Sequence, residues 1–213
     1  MEIIPNFIVF EGCDGSGTTT QLDILADRVR TNYKDKLPFY RTFEPTELPV
    51  GKIIRNVLSK ENPLQIKPET LTMLFAADRN EHLYGNGGIL ERIKKGEIVA
   101  SDRYVLSSLV YQGIECGDEL PALLNSRFPA PEITLFIDVK PSIAFARIIK
   151  TRTSFEIFEK QEFQEKVYEN YLSQIDKYRS FGARVEIIDG SKNIDEVAQD
   201  IWSIIKLMPI FNV

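Results

Sequence analysis

The chain has 213 residues, of which 43% are hydrophobic and 27% charged, a composition typical of a soluble globular protein with a substantial core. Its net charge is −5, whereas a general nucleic-acid-binding protein usually has an excess of basic residues. We therefore expect no nucleic-acid partner. No run of about 18 apolar residues occurs, so the sequence predicts no membrane span. A nucleotide ligand stays compatible with this charge, because a few local amides and cations suffice to bind phosphate.

Two features of the sequence favour a cytoplasmic protein. The N-terminal stretch MEIIPNFIVFEG has no basic segment before its apolar residues, and these are too few for a signal sequence. The two cysteines, Cys13 and Cys116, fit neither a disulfide framework nor a metal-binding spacing, as expected in a reducing compartment.

The predicted elements alternate between short apolar strands and helices. In chain order the strands are 6–12, 37–44, 96–104, 132–139 and 183–189. The helices are 18–33, 50–60, 67–83, 140–152, 160–181 and a closing helix to about 206. Apolar strands separated by helices predict an α/β fold with a five-stranded parallel sheet covered on both faces. No linker or repeat interrupts the pattern, so a single domain over 1–213 is the simplest interpretation.

The stretch FEGCDGSGTTTQL, residues 10–22, resembles a phosphate-binding loop, G-x-x-x-x-G-K-[ST]. Gly12 and Gly17 hold the two glycine positions, between a predicted strand and a predicted helix. Such a loop turns its amides toward a polyphosphate, and the helix N-terminus adds free N–H groups. The lysine of the motif should stand at 18, where this chain has Thr18. The alternative is a glycine-rich turn in a Rossmann-like fold.

We expect this loop to bind the phosphates of the donor nucleotide, with Thr19 as a Mg²⁺ ligand. The residues expected to contact the donor are Gly12, Cys13, Asp14, Gly15, Ser16, Gly17, Thr18, Thr19 and Thr20. Losing one transition-state cation can cost on the order of 10²- to 10⁵-fold in rate. Activity without the lysine therefore depends on other cations near the phosphates.

Further segments follow the loop along the chain, namely FEPTELPVG, MLFAADRNEHL, VASDRYVLSSLVYQG and FIDV. Together with FIVFEGCDGSGTTTQ they resemble, in order and spacing, the thymidylate kinases, which transfer the γ-phosphate of ATP to dTMP. The resemblance runs from about residue 6 to the final helix, and 101–113 is its most specific segment. It implies a P-loop NTPase fold, ATP and Mg²⁺ as cofactors, dTMP as acceptor, a lid at about 151–160 and, as is usual in the family, a homodimer.

The resemblance assigns the transfer chemistry to charged groups at the strand ends. Arg103 would hold the acceptor phosphate, because its guanidinium can donate two parallel hydrogen bonds. Asp102 would lie near Mg²⁺ and the transferring group, and Asp14 near the acceptor sugar and the transferring phosphate. The structural alternatives are an ion pair at 102–103 and a solvated carboxylate at 14.

The same resemblance assigns five residues to the base and sugar. Phe75 would stack on thymine, and Arg79, four residues along the same predicted helix, would bond to the base. Ser108 and Gln112 would approach the base, while Tyr111 would crowd the sugar 2′ position and favour deoxyribose. A core phenylalanine with a surface arginine, and purely structural roles for the other three, are the alternatives.

Besides the lysine, two further cations of the family pattern are missing. Glu44 and Pro45 match a substrate-binding turn of the family, but the arginine expected before them is replaced by Phe43. In the polar break at 151–159, Ile157 stands where the family lid has an arginine. The candidate substitutes are Arg41 and Arg55 for the acceptor phosphate, and Arg147 and Arg152 for the donor phosphates.

These absences fit either a coordinated rearrangement in an active enzyme or the decay of an inactive one. The intact acceptor segments favour an active thymidylate kinase. Two alternatives stay open, namely a nucleotide-binding homologue with little or no transfer activity and a kinase for another deoxynucleoside monophosphate.

Overall fold

The sheet consists of five parallel strands. The computed structural model describes residues 1–59, 65–149 and 157–212. The strands are β1 (Ile3–Glu11), β2 (Phe39–Phe43), β3 (Ile98–Asp102), β4 (Ala130–Asp138) and β5 (Val185–Asp189). They pair in the order β2-β3-β1-β4-β5. The predicted five-stranded parallel α/β fold is confirmed.

Helices cover both faces of this sheet. They are α1 (Thr18–Tyr33), α2 (Pro49–Leu58), α3 (Pro68–Tyr84), α4 (Ile89–Lys94), α5 (Val105–Cys116), α6 (Glu119–Asn125), α7 (Pro141–Ile149), α8 (Ile157–Ser180) and α9 (Ile194–Ile205). Helices α4 and α6 were not predicted, because six or seven residues are too few for a helical period to stand out.

Helix α8 begins earlier in the chain than the sequence predicted. The polar break was placed at 151–159 and the lid at 151–160, yet the structure has helix from Ile157 onward. Polar composition does not end a helix, because Glu, Lys and Gln are good helix formers. Residues 151–156 of the predicted lid, with Arg152, lie outside the described residues.

The core has two apolar layers, one on each face of the sheet. Successive residues of a strand point to opposite faces, and β1 follows this rule. Phe7 and Val9 pack with Tyr104 and Tyr171 on one side. Ile8 and Phe10 join the other layer, against α1 and α9.

Because the strands are parallel, the carboxyl ends of β1, β2 and β3 meet at one edge of the sheet. Ligands of such folds bind at this edge.

A bilayer-crossing segment was not expected from the sequence. Among the helices in the described ranges, none is both long enough and apolar enough to cross a membrane.

Candidate active site

The glycine-rich loop lies between β1 and α1, as the motif requires. Gly17 precedes the helix with a φ of 98°, a backbone conformation that favours glycine. A Cβ on Gly12 would lie 2.4 Å from Ser16 Oγ and 3.1 Å from the backbone oxygen of Ile137. Only a residue without a side chain fits there, so the loop closes tightly over the end of the sheet.

Side chains of the loop differ in what they can offer to a ligand. Cys13 is buried, and burial raises the pKa of its thiol to about 12, so the thiol stays neutral at physiological pH. Thr18 is also buried and supplies no charge. Thr19 and Thr20 are exposed on the first turn of α1. The loop thus presents backbone amides and hydroxyl groups rather than a cation.

Arg147 on α7 is the candidate substitute that the structure brings to the donor loop. Its Nη1 lies 3.4 Å from the carbonyl oxygen of Ser16, and its Nη2 donates to the carbonyl of Gly190 at 2.8 Å. The guanidinium therefore joins the loop to the segment after β5. Its positive charge lies behind the loop, on the backbone carbonyl side.

Thr19 and Asp102, the two predicted metal ligands, lie side by side. The Thr19 hydroxyl donates to Asp102 Oδ2, while Asp102 Oδ1 is buried without a hydrogen-bond partner among the described residues. Oxygen donors of this kind suit Mg²⁺, which usually keeps several waters and binds one or two protein groups plus phosphate oxygens. Within the described residues no cluster of three or more His, Cys, Asp or Glu could hold a metal. Thr19 and Asp102 therefore suit a Mg²⁺ ion whose other ligands are waters and the phosphate oxygens of a nucleotide.

A cavity of about 340 Å³ opens beside the loop. All eight residues predicted to bind the acceptor line it, and Asp14 of the loop lines it too. The sequence placed these residues at the ends of the second and third strands, on the helix at 67–83 and on the helical turns after residue 104, without showing that they meet. Aromatic walls with a few polar groups are typical of a small-molecule site.

Arg103 lies between this cavity and the loop. Its φ is 74°, in the left-handed region that residues other than glycine rarely adopt. Nη2 donates to Asp14 Oδ1 at 2.6 Å, and the guanidinium carbon lies 5.0 Å from the centre of the Tyr111 ring. Nη1 lies 3.2 Å from Ser107 Oγ and 3.3 Å from the Tyr171 hydroxyl. The guanidinium is held in place before any ligand binds.

Glu11 is a buried carboxylate that the sequence analysis did not assign to the site. It ends β1 and accepts from the backbone N–H of Tyr104 (2.9 Å) and Ser107 (3.1 Å), and from the hydroxyls of Ser107 and Tyr171. Burial raises the pKa of Glu11 above its ordinary value, although the hydrogen bonds from Ser107 and the positive charge of Arg103 act to lower it. An acid at the end of the strand before the loop was visible in the sequence, but its partners were not.

A second buried carboxylate, Glu44, lines the same cavity and holds Arg79. Nη2 of Arg79 donates to Glu44 Oε2 at 2.7 Å and to the carbonyl of Tyr104 at 3.0 Å, while Nη1 donates to Asn125. His82 Nδ1 lies 3.0 Å from Glu44 Oε1. Burial raises the pKa of Glu44, but the charge of Arg79 and the His82 contact outweigh it, so the pKa lies below its usual value.

Two polar atoms in the cavity wall lack partners. Gln112 Oε1 and the Tyr111 hydroxyl are buried with no hydrogen-bond partner among the described residues. Ser108 Oγ, nearby on α5, accepts a bond from Asn125 at 3.3 Å and keeps its own proton to donate. Buried polar groups are nearly always bonded. These atoms are therefore available to a ligand with polar edges.

The two arginines proposed as substitutes at the acceptor phosphate have different surroundings. Arg41 pairs with Asp23 of α1 at 2.5 Å and does not line the acceptor cavity. Arg55 donates to the carbonyl of Pro45 and lies 5.1 Å from the centre of the Phe43 ring. Pro45 lines the cavity, so Arg55 lies beside the acceptor site and Arg41 does not.

The fold and these two neighbouring sites define a class of protein. A glycine-rich loop at the N-terminus of a helix suits the phosphates of one nucleotide. The cavity next to it suits a second, smaller ligand, and Arg103 and Asp14 connect the two. This arrangement is that of a P-loop kinase acting on a small nucleotide.

Comparison with known proteins gives the family. The model of the family "Thymidylate kinase" matches residues 10–201. A "Probable thymidylate kinase" of Pyrobaculum aerophilum is 38% identical over 202 residues, 94% of this chain and 96% of its own length. The "Thymidylate kinase" of Pediococcus pentosaceus is 32% identical over 208 residues, 94% and 96% of the two chains. The chain belongs to the thymidylate kinase family and is a nucleoside monophosphate kinase.

Proposed function

We propose that this protein transfers the γ-phosphate of ATP to dTMP, giving ADP and dTDP for the synthesis of dTTP. The observation that carries the proposal is the common cavity of the eight residues predicted for the acceptor. Family membership supports phosphorylation of a thymidine nucleotide in general. The contacts among these residues support dTMP in particular.

The donor ATP would lie on the glycine-rich loop. Backbone amides from Gly12 to Thr20 would hold its phosphates, with the dipole of α1 behind them. Arg147 would contact the nucleotide beside the loop, where it already joins two backbone segments. Thr19 and Asp102 would hold Mg²⁺, which when bound neutralises charge on the donor phosphates.

The acceptor phosphate would lie against Arg103, between the cavity and the loop. Asp14 and Tyr111 hold the guanidinium on two sides, and Arg103 lines the cavity, where its remaining N–H groups would donate to the phosphate. Asp14 would face the acceptor sugar and the transferring phosphate. In an in-line transfer the protein contributes mainly position and charge, and Arg103 would supply both.

The thymine base would occupy the other end of the cavity. Phe75 would stack on its face, and the unpartnered Gln112 Oε1 would accept from its N3–H. Ser108 would donate to a base carbonyl, and Arg79, which Glu44 holds in the cavity wall, would bond to the base. Tyr111 would crowd a 2′-hydroxyl, so deoxyribose should be preferred over ribose.

The remaining cations of the site would come from arginines at new positions. Arg55 would assist at the acceptor side, where it stacks on Phe43. Arg147, and Arg152 from the lid, would supply charge at the donor side when the lid at about 151–160 closes. Closure would also exclude water from the transferring phosphate.

The protein would act as a cytoplasmic homodimer. Two exposed apolar side chains on neighbouring helices support an interface there, namely Ile53 on α2 and Met73 on α3, which are 44% and 53% exposed. The proposal requires that they form part of a contiguous apolar patch, since single exposed apolar side chains are normal on a protein surface. Light scattering of the purified protein gives its mass in solution and tests the dimer directly.

A coupled assay of ADP formation tests the proposed reaction. The protein is incubated with ATP, Mg²⁺ and one of dTMP, dUMP, dCMP, dGMP or dAMP, and reactions without an acceptor give the background. We expect dTMP to be the preferred acceptor, and the ribose form of TMP to react far more slowly. Turnover of another monophosphate alone would identify a kinase of different specificity, and no turnover above background would remove the kinase proposal.

A second candidate function is nucleotide binding with little or no transfer, and the observation that favours it is the buried, uncharged Thr18 at the lysine position. It requires that calorimetry detect dTMP and ATP binding while a single-turnover experiment yields no dTDP. Under this alternative Thr18→Lys raises the rate sharply. A wild-type protein that is already fast contradicts it.

A further inference from the structure

The conformation of Arg103 depends on backbone contacts on both sides of it. Its own N–H donates to the carbonyl of Phe10 at 2.8 Å, and its carbonyl accepts from Ser101 Oγ at 2.8 Å. The next N–H, of Tyr104, donates to Glu11 at 2.9 Å. A non-glycine residue with a φ of 74° costs free energy that surrounding contacts have to offset. Glu11 supplies one of these contacts with its side chain.

The Arg103 side chain depends on the same carboxylate. Nη1 has two oxygen partners, Ser107 Oγ at 3.2 Å and the Tyr171 hydroxyl at 3.3 Å. Each hydroxyl has one proton, and an oxygen accepts from Arg103 well only when that proton points elsewhere. Glu11 takes the proton of Ser107 and, directly or through Ser107, that of Tyr171. The carboxylate therefore turns the lone pairs of both hydroxyls toward Arg103.

Glu11 has no direct route to the acceptor. It is fully buried and does not line the acceptor cavity, so it acts on a ligand only through the groups it contacts. Of these, Ser107 and Tyr104 line the cavity, and Ser107 also accepts from the charged Arg103. Glu44 provides the contrast, since it is equally buried but holds Arg79 at the base end. Two internal carboxylates thus hold two arginines that line the same cavity, Glu44 directly and Glu11 through hydroxyl and backbone groups.

We propose that Glu11 is a positioning residue for recognition of the acceptor phosphate. Through the backbone of 103–104 and the hydroxyls of Ser107 and Tyr171, it fixes the direction of the Arg103 guanidinium. Glu11 therefore affects how tightly the 5′-phosphate of dTMP is bound, and not how tightly its nucleoside part is bound. This inference rests on the proposed function, in which Arg103 holds the phosphate of dTMP.

Calorimetry with dTMP and with thymidine, which lacks the phosphate, tests the inference. The quantity of interest is the phosphate preference, the ratio of the thymidine Kd to the dTMP Kd. Glu11→Gln keeps the shape of the side chain. Its amide N–H₂ group would either face the N–H and O–H groups that donate to Glu11, or force the hydroxyls of Ser107 and Tyr171 to turn their protons elsewhere. We expect the phosphate preference to fall by about tenfold, since a buried hydrogen bond with mismatched partners is costly, with thymidine affinity nearly unchanged.

Glu44→Gln is the matched control, because it alters a carboxylate of equal burial. It should weaken dTMP and thymidine together and leave the phosphate preference within about twofold of wild type. In an Arg103→Met background, adding Glu11→Gln should change the preference by less than about twofold, because the two residues act as one unit. Equal losses for both ligands in Glu11→Gln would mean a merely structural role and would overturn the inference.

Tyr171→Phe keeps the test available if Glu11→Gln does not fold. It removes one oxygen from Arg103 and retains the aromatic ring, and we expect the phosphate preference to fall by about threefold. An unchanged preference in this variant overturns the inference. A wild-type protein that binds dTMP no more tightly than thymidine would instead overturn the proposed role of Arg103, and the inference with it.

Discussion

The acceptor cavity and the donor loop, as proposed, are built in different ways. In the cavity, Glu11 and Glu44 are buried carboxylates that hold Arg103 and Arg79 through short hydrogen bonds and ordered hydroxyls. In the donor loop, the close packing of glycine is kept but Thr18 replaces the expected cation. The acceptor side is thus built from charged side chains, and the donor side mainly from backbone.

This difference indicates where the protein is sensitive to substitution. A buried ion pair that loses one partner leaves an uncompensated charge, which is costly. A ring of backbone amides is unaffected by most side-chain changes, provided that the loop keeps its shape. We therefore expect large effects at the arginines of the cavity and small effects at the lysine position of the loop.

The largest effect is expected for Arg103→Met. The change removes the charge at the acceptor phosphate and leaves Asp14 without its 2.6 Å partner. We expect kcat/KM for dTMP to fall by about 10³-fold, as for other phosphate-contacting cations. The control is Arg30→Met, an exposed arginine paired with Asp27, which should stay near wild type. A loss below about tenfold at Arg103 would contradict the role of the cavity in phosphate binding.

Glu44→Gln should destabilise the protein in a pH-dependent way. The folded pKa of Glu44 lies below the ordinary value of 4.5, so its ionised form stabilises the fold above that pH and the contribution is lost as the pH falls. Breaking a buried pair of this kind costs about 3 kcal/mol near pH 7. Urea unfolding should give this difference at pH 7 and a smaller one below about pH 4.5.

The control for Glu44 is Glu186→Gln, which alters an exposed pair with Arg184. This variant should lose less than about 1 kcal/mol at any pH. A stability difference for Glu44→Gln that stays constant between the two pH values would show that its charge does not act on Arg79 and His82 as described.

A moderate effect is expected for Arg147→Ala on the donor side. The guanidinium joins the loop carbonyl of Ser16 to Gly190, and its loss should raise the KM for ATP by about tenfold, the cost of one or two charge-assisted hydrogen bonds. The KM for dTMP should stay within about twofold. Steady-state kinetics with each substrate varied separately measures both values, and equal changes in the two would remove the distinction between the sites.

The smallest effect is expected for Thr18→Lys. If amides and relocated arginines already balance the donor charge, restoring the lysine should change kcat by less than about tenfold in either direction, well short of the full value of a transition-state cation. Single-turnover formation of dTDP gives the comparison. A rise of about 10³-fold in the rate of dTDP formation would show that the loop without its lysine fails to balance the donor charge. The acceptor cavity and the donor loop would then differ in function as well as in structure.

The sequence predicted the sheet and the cavity residues for different reasons. Apolar strands between helices indicate a parallel sheet by pattern alone. The acceptor residues came from the resemblance of the segments FEPTELPVG, MLFAADRNEHL and VASDRYVLSSLVYQG, and the structure brings them to one cavity. Their individual roles stay predictions. Arg41 shows a limit of the sequence. It stands two residues before Phe43 on the same strand and therefore on the same face, but this spacing does not reveal its pairing with Asp23.

The network around Glu11 could not be predicted from the sequence. Its hydroxyl partners, Ser107 and Tyr171, lie 96 and 160 residues away along the chain. The helical pattern around these two residues does not indicate a contact with Glu11. Buried polar contacts depend on tertiary packing to a few tenths of an ångström, which periodicity does not encode. The short helices α4 and α6 were missed for the simpler reason of length.

Direct measurement of dTDP formation by the wild-type protein tests the central claim, that the chain transfers phosphate without the lysine of the loop. With saturating ATP, Mg²⁺ and dTMP in a quenched-flow experiment, we expect a kcat on the order of 1 s⁻¹ or higher, within the range of kinases. Tight binding of both nucleotides with no dTDP above background would contradict the account.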